Sequence, residues 1–127
     1  MGRFETFHEM AKRILIVDDD PETTHGLRRV LEKHGYDVQE ENDSENALEV
    51  ARAFQPHFVI LDYLMPKVHG GDVAWQLASD AILQDAQVIM CTGISKAEIA
   101  IKLPPARIPI LEKPVDTDAL LELLSNH

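Results

Sequence analysis

Apolar and polar positions along the chain follow two rhythms. Ile14-Leu15-Ile16-Val17, Phe58-Val59-Ile60-Leu61 and Val88-Ile89-Met90-Cys91 are continuous apolar runs, separated by stretches in which apolar residues recur every three or four positions. A short unbroken run fits a strand buried on both faces; the wider spacing fits a helix with one packed face. Two further short strands are expected at 36–39 and 108–112. Pro109 inside the last one suits an edge strand, where one missing ladder donor is tolerated.

The punctuation between the strands places five helices. Asp20 caps the first, Pro21 opens it, Leu27, Val30 and Leu31 form its apolar face, and Gly35 ends it. The second is capped by Asp43 or Ser44, carries Ala47, Leu48, Ala51 and Phe54, and stops at Pro56. Gly70-Gly71 opens a third with Val73, Ala74, Leu77 and Ala78 on one face, expected to run to about Leu83. Ser95 and Glu98 form a capping-box pair for a fourth, which Pro104-Pro105 must end early. Asp116 caps the last, whose core face is Leu120, Leu121 and Leu124.

Five strands alternating with five helices imply right-handed crossovers and a mostly parallel sheet with helices on both faces. The most apolar strands, those ending at Asp18 and Asp62, belong at its centre. The expected architecture is therefore α/β with five strands in the flavodoxin-like order 2-1-3-4-5. In that order the first and third strands meet at the switch point where ligands bind. Asp18, Asp19 and Asp62 would then share one rim, with Thr92 and Lys113 arriving from the fourth and fifth strands.

Composition narrows the chemistry. The 127 residues suit a single domain with a real core. Twelve basic against 22 acidic residues give a net charge of −10, which repels a polyanion, so no direct nucleic-acid binding is expected. The single cysteine, Cys91, excludes an internal disulfide and a thiolate metal cluster. No apolar run approaches the roughly 20 residues of a membrane span, and the first residues lack a signal peptide's apolar region. A cytoplasmic protein without membrane contact is the expectation.

Three converging carboxylates repel one another and raise their own pKa values unless a cation joins them. Oxygen-only ligands suit Mg²⁺ better than zinc. An aspartate can also be a nucleophile that forms an aspartyl-phosphate. Metal and lysine would then neutralise phosphoryl oxygens while a hydroxyl donates to one of them. Other chemistry-bearing residues have plainer readings. Asp20 is a cap, Cys91 a packed core thiol, His69 a surface residue, and His25, His34 and His57 structural or exposed. Trp75 belongs to core or partner surface, and Glu40, Glu41, Asp43 and Glu45 form a solvated acidic edge.

Taken together, Ile14 to Asp20, Val59-Ile60-Leu61-Asp62-Tyr63-Leu64-Met65-Pro66 with Gly70, Thr92-Gly93 and Lys113-Pro114 resemble the receiver domain of bacterial response regulators. The similarity covers about residues 12 to 125, with every signature in order. It implies that Asp62 takes a phosphoryl group from a phosphohistidine on a sensor histidine kinase or histidine phosphotransfer protein. It also implies that Asp18, Asp19, Asp62 and the main-chain carbonyl of Leu64 hold Mg²⁺, while Thr92 and Lys113 contact the new phosphoryl group. The added charge, roughly −1.5 to −2, drives a receiver's switch toward a downstream protein target. Such a domain catalyses only its own modification and is not an enzyme toward an outside substrate.

On this reading residues 12–127 are the receiver domain and residues 1–11 an N-terminal extension or tag. The chain is either a single-domain regulator acting through protein contacts or a domain of a larger hybrid kinase or regulator. Ile110 stands where many receivers carry Tyr or Phe, and the stretch after Thr92 is shortened toward Pro104-Pro105. Leu64 and Ile94, flanking the path of an attacking water, are both apolar, so slow loss of phosphate is expected. The alternatives are a phosphate-independent scaffold of the same fold and an aspartate-nucleophile phosphohydrolase. The latter wants a second carboxylate two residues after Asp62, where Leu64 stands. A flavin protein of this fold would not place Asp18-Asp19-Asp20 against a phosphate.

Overall fold

The computed structural model describes residues 11–105 and 107–126. The reading of residues 1–11 as an extension therefore lies, apart from Ala11, outside the described residues. Strand and helix alternate as β1 (Arg13–Val17), α1 (Pro21–Lys33), β2 (Asp37–Glu41), α2 (Ala47–Phe54), β3 (Phe58–Asp62), α3 (Gly70–Ser79), β4 (Gln87–Thr92), α4 (Lys96–Ala100), β5 (Ile110–Glu112) and α5 (Thr117–Ser125). A single 3₁₀ turn, Ser44–Asn46, leads into α2. The sheet is parallel in the order β2-β1-β3-β4-β5, as the alternation predicts.

The unbroken apolar runs are what a two-faced sheet needs. Leu15, Val17, Val59, Leu61, Val88 and Met90 face one side and pack with Ala47, Ala51, Val73, Leu77 and Ile99 of α2, α3 and α4. Their neighbours Ile14, Ile16, Phe58, Ile60, Ile89 and Cys91 face the other, with Leu31 of α1 and Leu120 and Leu124 of α5. Burying a side chain of this size contributes about 1.5–3 kcal/mol. The two layers hold β1 and β3 between them, so their carboxyl ends lie side by side at one edge of the core.

The expected N-cap residues hold, with Ser95 accepting from Ala97 N–H and not closing a capping box with Glu98. Asp20 accepts from Glu22 N–H, and Asp116 from the N–H groups of Asp118 and Ala119. Gly35 adopts φ 91°, the left-handed turn that stops α1. Three expectations are corrected. β5 begins at Ile110, so Pro109 precedes the strand instead of lying inside it. α3 ends at Ser79, not near Leu83, because the Asp80 carboxylate accepts from the N–H groups of Ile82 and Leu83 and starts a new turn. Glu40 is not part of a merely solvated edge. Its side chain is nearly buried and pairs with His25 and Arg28.

Candidate functional site

Asp62 is the last residue of β3, and Asp18 directly follows β1, so the β1–β3 pairing sets them side by side. Both are buried, while Asp19 is exposed at the rim. One carboxylate oxygen from each of the three lies within 4.8 Å of the others. β5 pairs with β4 so that Thr92 lies beside Glu112, which sends the next residue, Lys113, over the same rim. Its Nζ stands 3.0 Å from Asp18 Oδ2 and 3.0 Å from Asp62 Oδ1.

The remaining polar atoms of Asp18 are held from three directions. Its N–H donates to Glu41 O, its carbonyl accepts from Asn42 Nδ2 at 2.8 Å, and its Oδ1 accepts from Asp20 N–H at 3.0 Å. Thr92, fully buried at the end of β4, accepts from Ile94 N–H at 2.9 Å through its hydroxyl. Its carbonyl accepts from Lys113 N–H at 2.7 Å, which fixes the start of the lysine.

The loop after Asp62 turns back sharply. Gly70 N–H donates to Tyr63 O, and a Cβ on Gly70 would lie 2.2 Å from the Asp62 carbonyl oxygen. Only glycine permits that approach. Leu64, two residues after Asp62, is 50% exposed.

Electrostatics follow from this geometry. Burial pushes the Asp62 carboxyl up to about 6; Lys113 opposes the rise, and Asp18 and Asp19 add to it. Burial alone would lower the Lys113 ammonium, but its hydrogen bonds to Asp62 and Asp18 win and hold it above the usual lysine range. Burial pushes the Cys91 thiol up to about 12, which makes it the inert core group expected.

One lysine facing three carboxylates leaves negative charge uncompensated, and the donors are all oxygens. That set fits a hard divalent cation such as Mg²⁺. Asp18, Asp19, Asp62 and Lys113 are thus brought together as the sequence predicted. Thr92 reaches the same rim by strand register. Sequence spacing gives Asn42 no role and Ser44 only that of a helix cap. They sit in a polar turn whose reach toward Asp18 and the Pro66 loop leaves no mark in sequence spacing.

Comparison with known proteins bears on this rim. The family model described as "Response regulator receiver domain" matches residues 14–125. The protein PilH of Pseudomonas aeruginosa is 35% identical over 115 residues, covering 89% of this chain and 94% of PilH. The DNA-binding dual master transcriptional regulator RpaA of Synechocystis is 34% identical over 110 residues, covering 86% of this chain and 46% of RpaA. The chain thus spans about half the length of several relatives it matches. Among solved structures, a signal receiver domain from Bermanella marisrubri has a TM-score of 0.78 at 30% identity, covering 92% of this chain and 98% of that one. The Vibrio cholerae chemotaxis protein CheY4 has the same fold, with a TM-score of 0.80 at 23% identity and coverage of 91% and 98%.

Proposed function

This chain belongs to the response regulator receiver domain family of two-component systems, and on that premise we propose that Asp62 is its phosphoryl acceptor. The observation that carries the proposal is the placement of Lys113 Nζ 3.0 Å from both Asp62 and Asp18 at the end of the two central strands. An ionised Asp62 oxygen attacks the phosphorus of a phosphohistidine. The new O–P bond forms as the N–P bond breaks, and the imidazole leaves with the electron pair and takes up a proton. Lys113 exchanges a carboxylate oxygen for a phosphoryl oxygen. Thr92 rotates its hydroxyl from the Ile94 amide to donate to another. Asp18, Asp19, Asp62 and the Leu64 main-chain carbonyl are the proposed holders of Mg²⁺, which would neutralise the phosphoryl charge in the crowded rim. Because the attacking oxygen must be ionised, a carboxyl near 6 leaves Asp62 mostly competent at pH 7.

The proposed donor is a sensor histidine kinase or histidine phosphotransfer protein, and the signal passes to a downstream protein target. Residues 12–127 form the proposed receiver unit. Among the described residues no helix is long and apolar enough to cross a membrane. The test is chemical. After incubation with acetyl phosphate and Mg²⁺, borohydride reduction should convert Asp62 alone to homoserine, read by peptide mass spectrometry. Homoserine at another aspartate would overturn the assignment.

A further inference from the structure

The turn that follows β2 contributes no ligand and no acceptor, yet it is fastened to both walls of the acidic pocket. On one wall, Glu41 O accepts from Asp18 N–H, and Asn42 Nδ2 donates to Asp18 O at 2.8 Å. Asn42 uses its second amide hydrogen on Thr24 Oγ1 at 3.1 Å, so the amide is locked to α1 and β1 together. On the other wall, Ser44 Oγ donates to Pro66 O at 2.9 Å and accepts from Val68 N–H at 3.2 Å. Ser44 is buried, so both bonds are partly shielded from solvent. Lys67, at φ 72° between those two partners, adds ion pairs to Asp43 and Glu45 at 3.4 Å.

Pro66 and Val68 close the loop that leaves Asp62 through Leu64. We infer that Asn42 and Ser44 are positioning residues that set the spacing between the Asp18–Asp19 wall and the Asp62–Leu64 wall, and so set the affinity for a divalent cation. The inference rests on the metal reading above. Its physical basis is that three like-charged carboxylates repel one another, so a cation binds more tightly where the fold already holds them within 4.8 Å. A strap that holds the two walls at a fixed separation supplies that order in advance. The strap acts on backbone atoms, so it leaves the carboxylate oxygens available.

The test uses Mn²⁺ as a paramagnetic probe, titrated into the phosphate-free chain and followed by the loss of the free-ion resonance signal. Asn42→Ala and Ser44→Ala should each weaken binding roughly tenfold, with Ser44→Thr restoring it because the hydroxyl returns. Thermal melts recorded alongside show whether each variant is folded, and the half-buried Asn42 carries the test alone if Ser44→Ala is not. Native-like affinity in folded Asn42→Ala and Ser44→Ala would overturn the inference and leave the metal reading intact. Absence of binding by the native chain would overturn both, and Asp19→Asn, which should abolish binding, marks that case.

Discussion

The carboxyl ends of β1 and β3 differ sharply from the flank that follows β4. At the first, every polar atom of Asp18 is engaged, Gly70 packs backbone on backbone, and two strands buried on both faces hold the carboxylates. At the second, α4 is five residues long, Pro104 and Pro105 lie outside any helix or strand, and β5 is a three-residue edge strand. Ile101 there is 85% exposed; Ile99 and Leu103 pack against the α3 face, and Trp75 Nε1 donates to Lys102 O at 3.1 Å. Ile110 sits half-buried where an aromatic ring is common in the family. On the proposed reading the chemistry belongs to the densely bonded rim, and the flank after β4 is the less regular of the two regions.

The largest break in that comparison comes from Gly70→Ala. Its Cβ would meet the Asp62 carbonyl at 2.2 Å and Tyr63 Cα at 2.9 Å, both backbone atoms that cannot yield. A loss of about 3 kcal/mol is expected in urea denaturation, and an unchanged midpoint would show the rim is softer than argued.

Asp62→Asn should act in the opposite direction when metal is chelated. The native carboxyl sits near 6, above its unfolded value, so the folded state favours the proton. The ionised group therefore destabilises the fold above about pH 6, and the cost is relieved as pH falls from 6 toward 4. The variant should be more stable by about 1–3 kcal/mol at pH 7, with the gap closing by pH 4. A gap that widens on acidification would contradict this sign.

Smaller effects sharpen the same contrast. Leu64 and Ile94 offer no hydrogen bond to an attacking water, so phosphorylated protein should persist for many minutes. Leu64→Asn should shorten that lifetime roughly tenfold, as followed by loss of radiolabel. Decay of the native form within seconds would contradict the reading. Trp75→Phe removes one half-exposed hydrogen bond and should cost at most about 1 kcal/mol. Hydrogen exchange should rise at Leu103 and its neighbours while the Asp62 rim stays protected.

Much of this was legible in sequence because it rests on local patterns. Continuous apolar runs announce strands buried twice over, and the residues that end those runs fall at the ligand rim by topology alone. What escaped depends on side chains reaching across the fold. Asp80 ends α3 by turning its carboxylate onto the next amides, and Glu40 is drawn inward by His25 and Arg28. Asn42 and Ser44 bond to Asp18 and Pro66, which lie 24 and 22 residues away. No periodicity encodes such contacts, because a polar turn residue reads the same whether its partner is water or a distant backbone.

The central claim is tested most directly by intact-mass spectrometry after incubation with acetyl phosphate, with and without Mg²⁺, on the native chain and Asp62→Asn. The account predicts one phosphoryl adduct on the native protein that requires Mg²⁺ and is absent from the variant. No adduct under any condition, with Mg²⁺ binding shown separately, would contradict it and leave a receiver fold that works through protein contacts without phosphate.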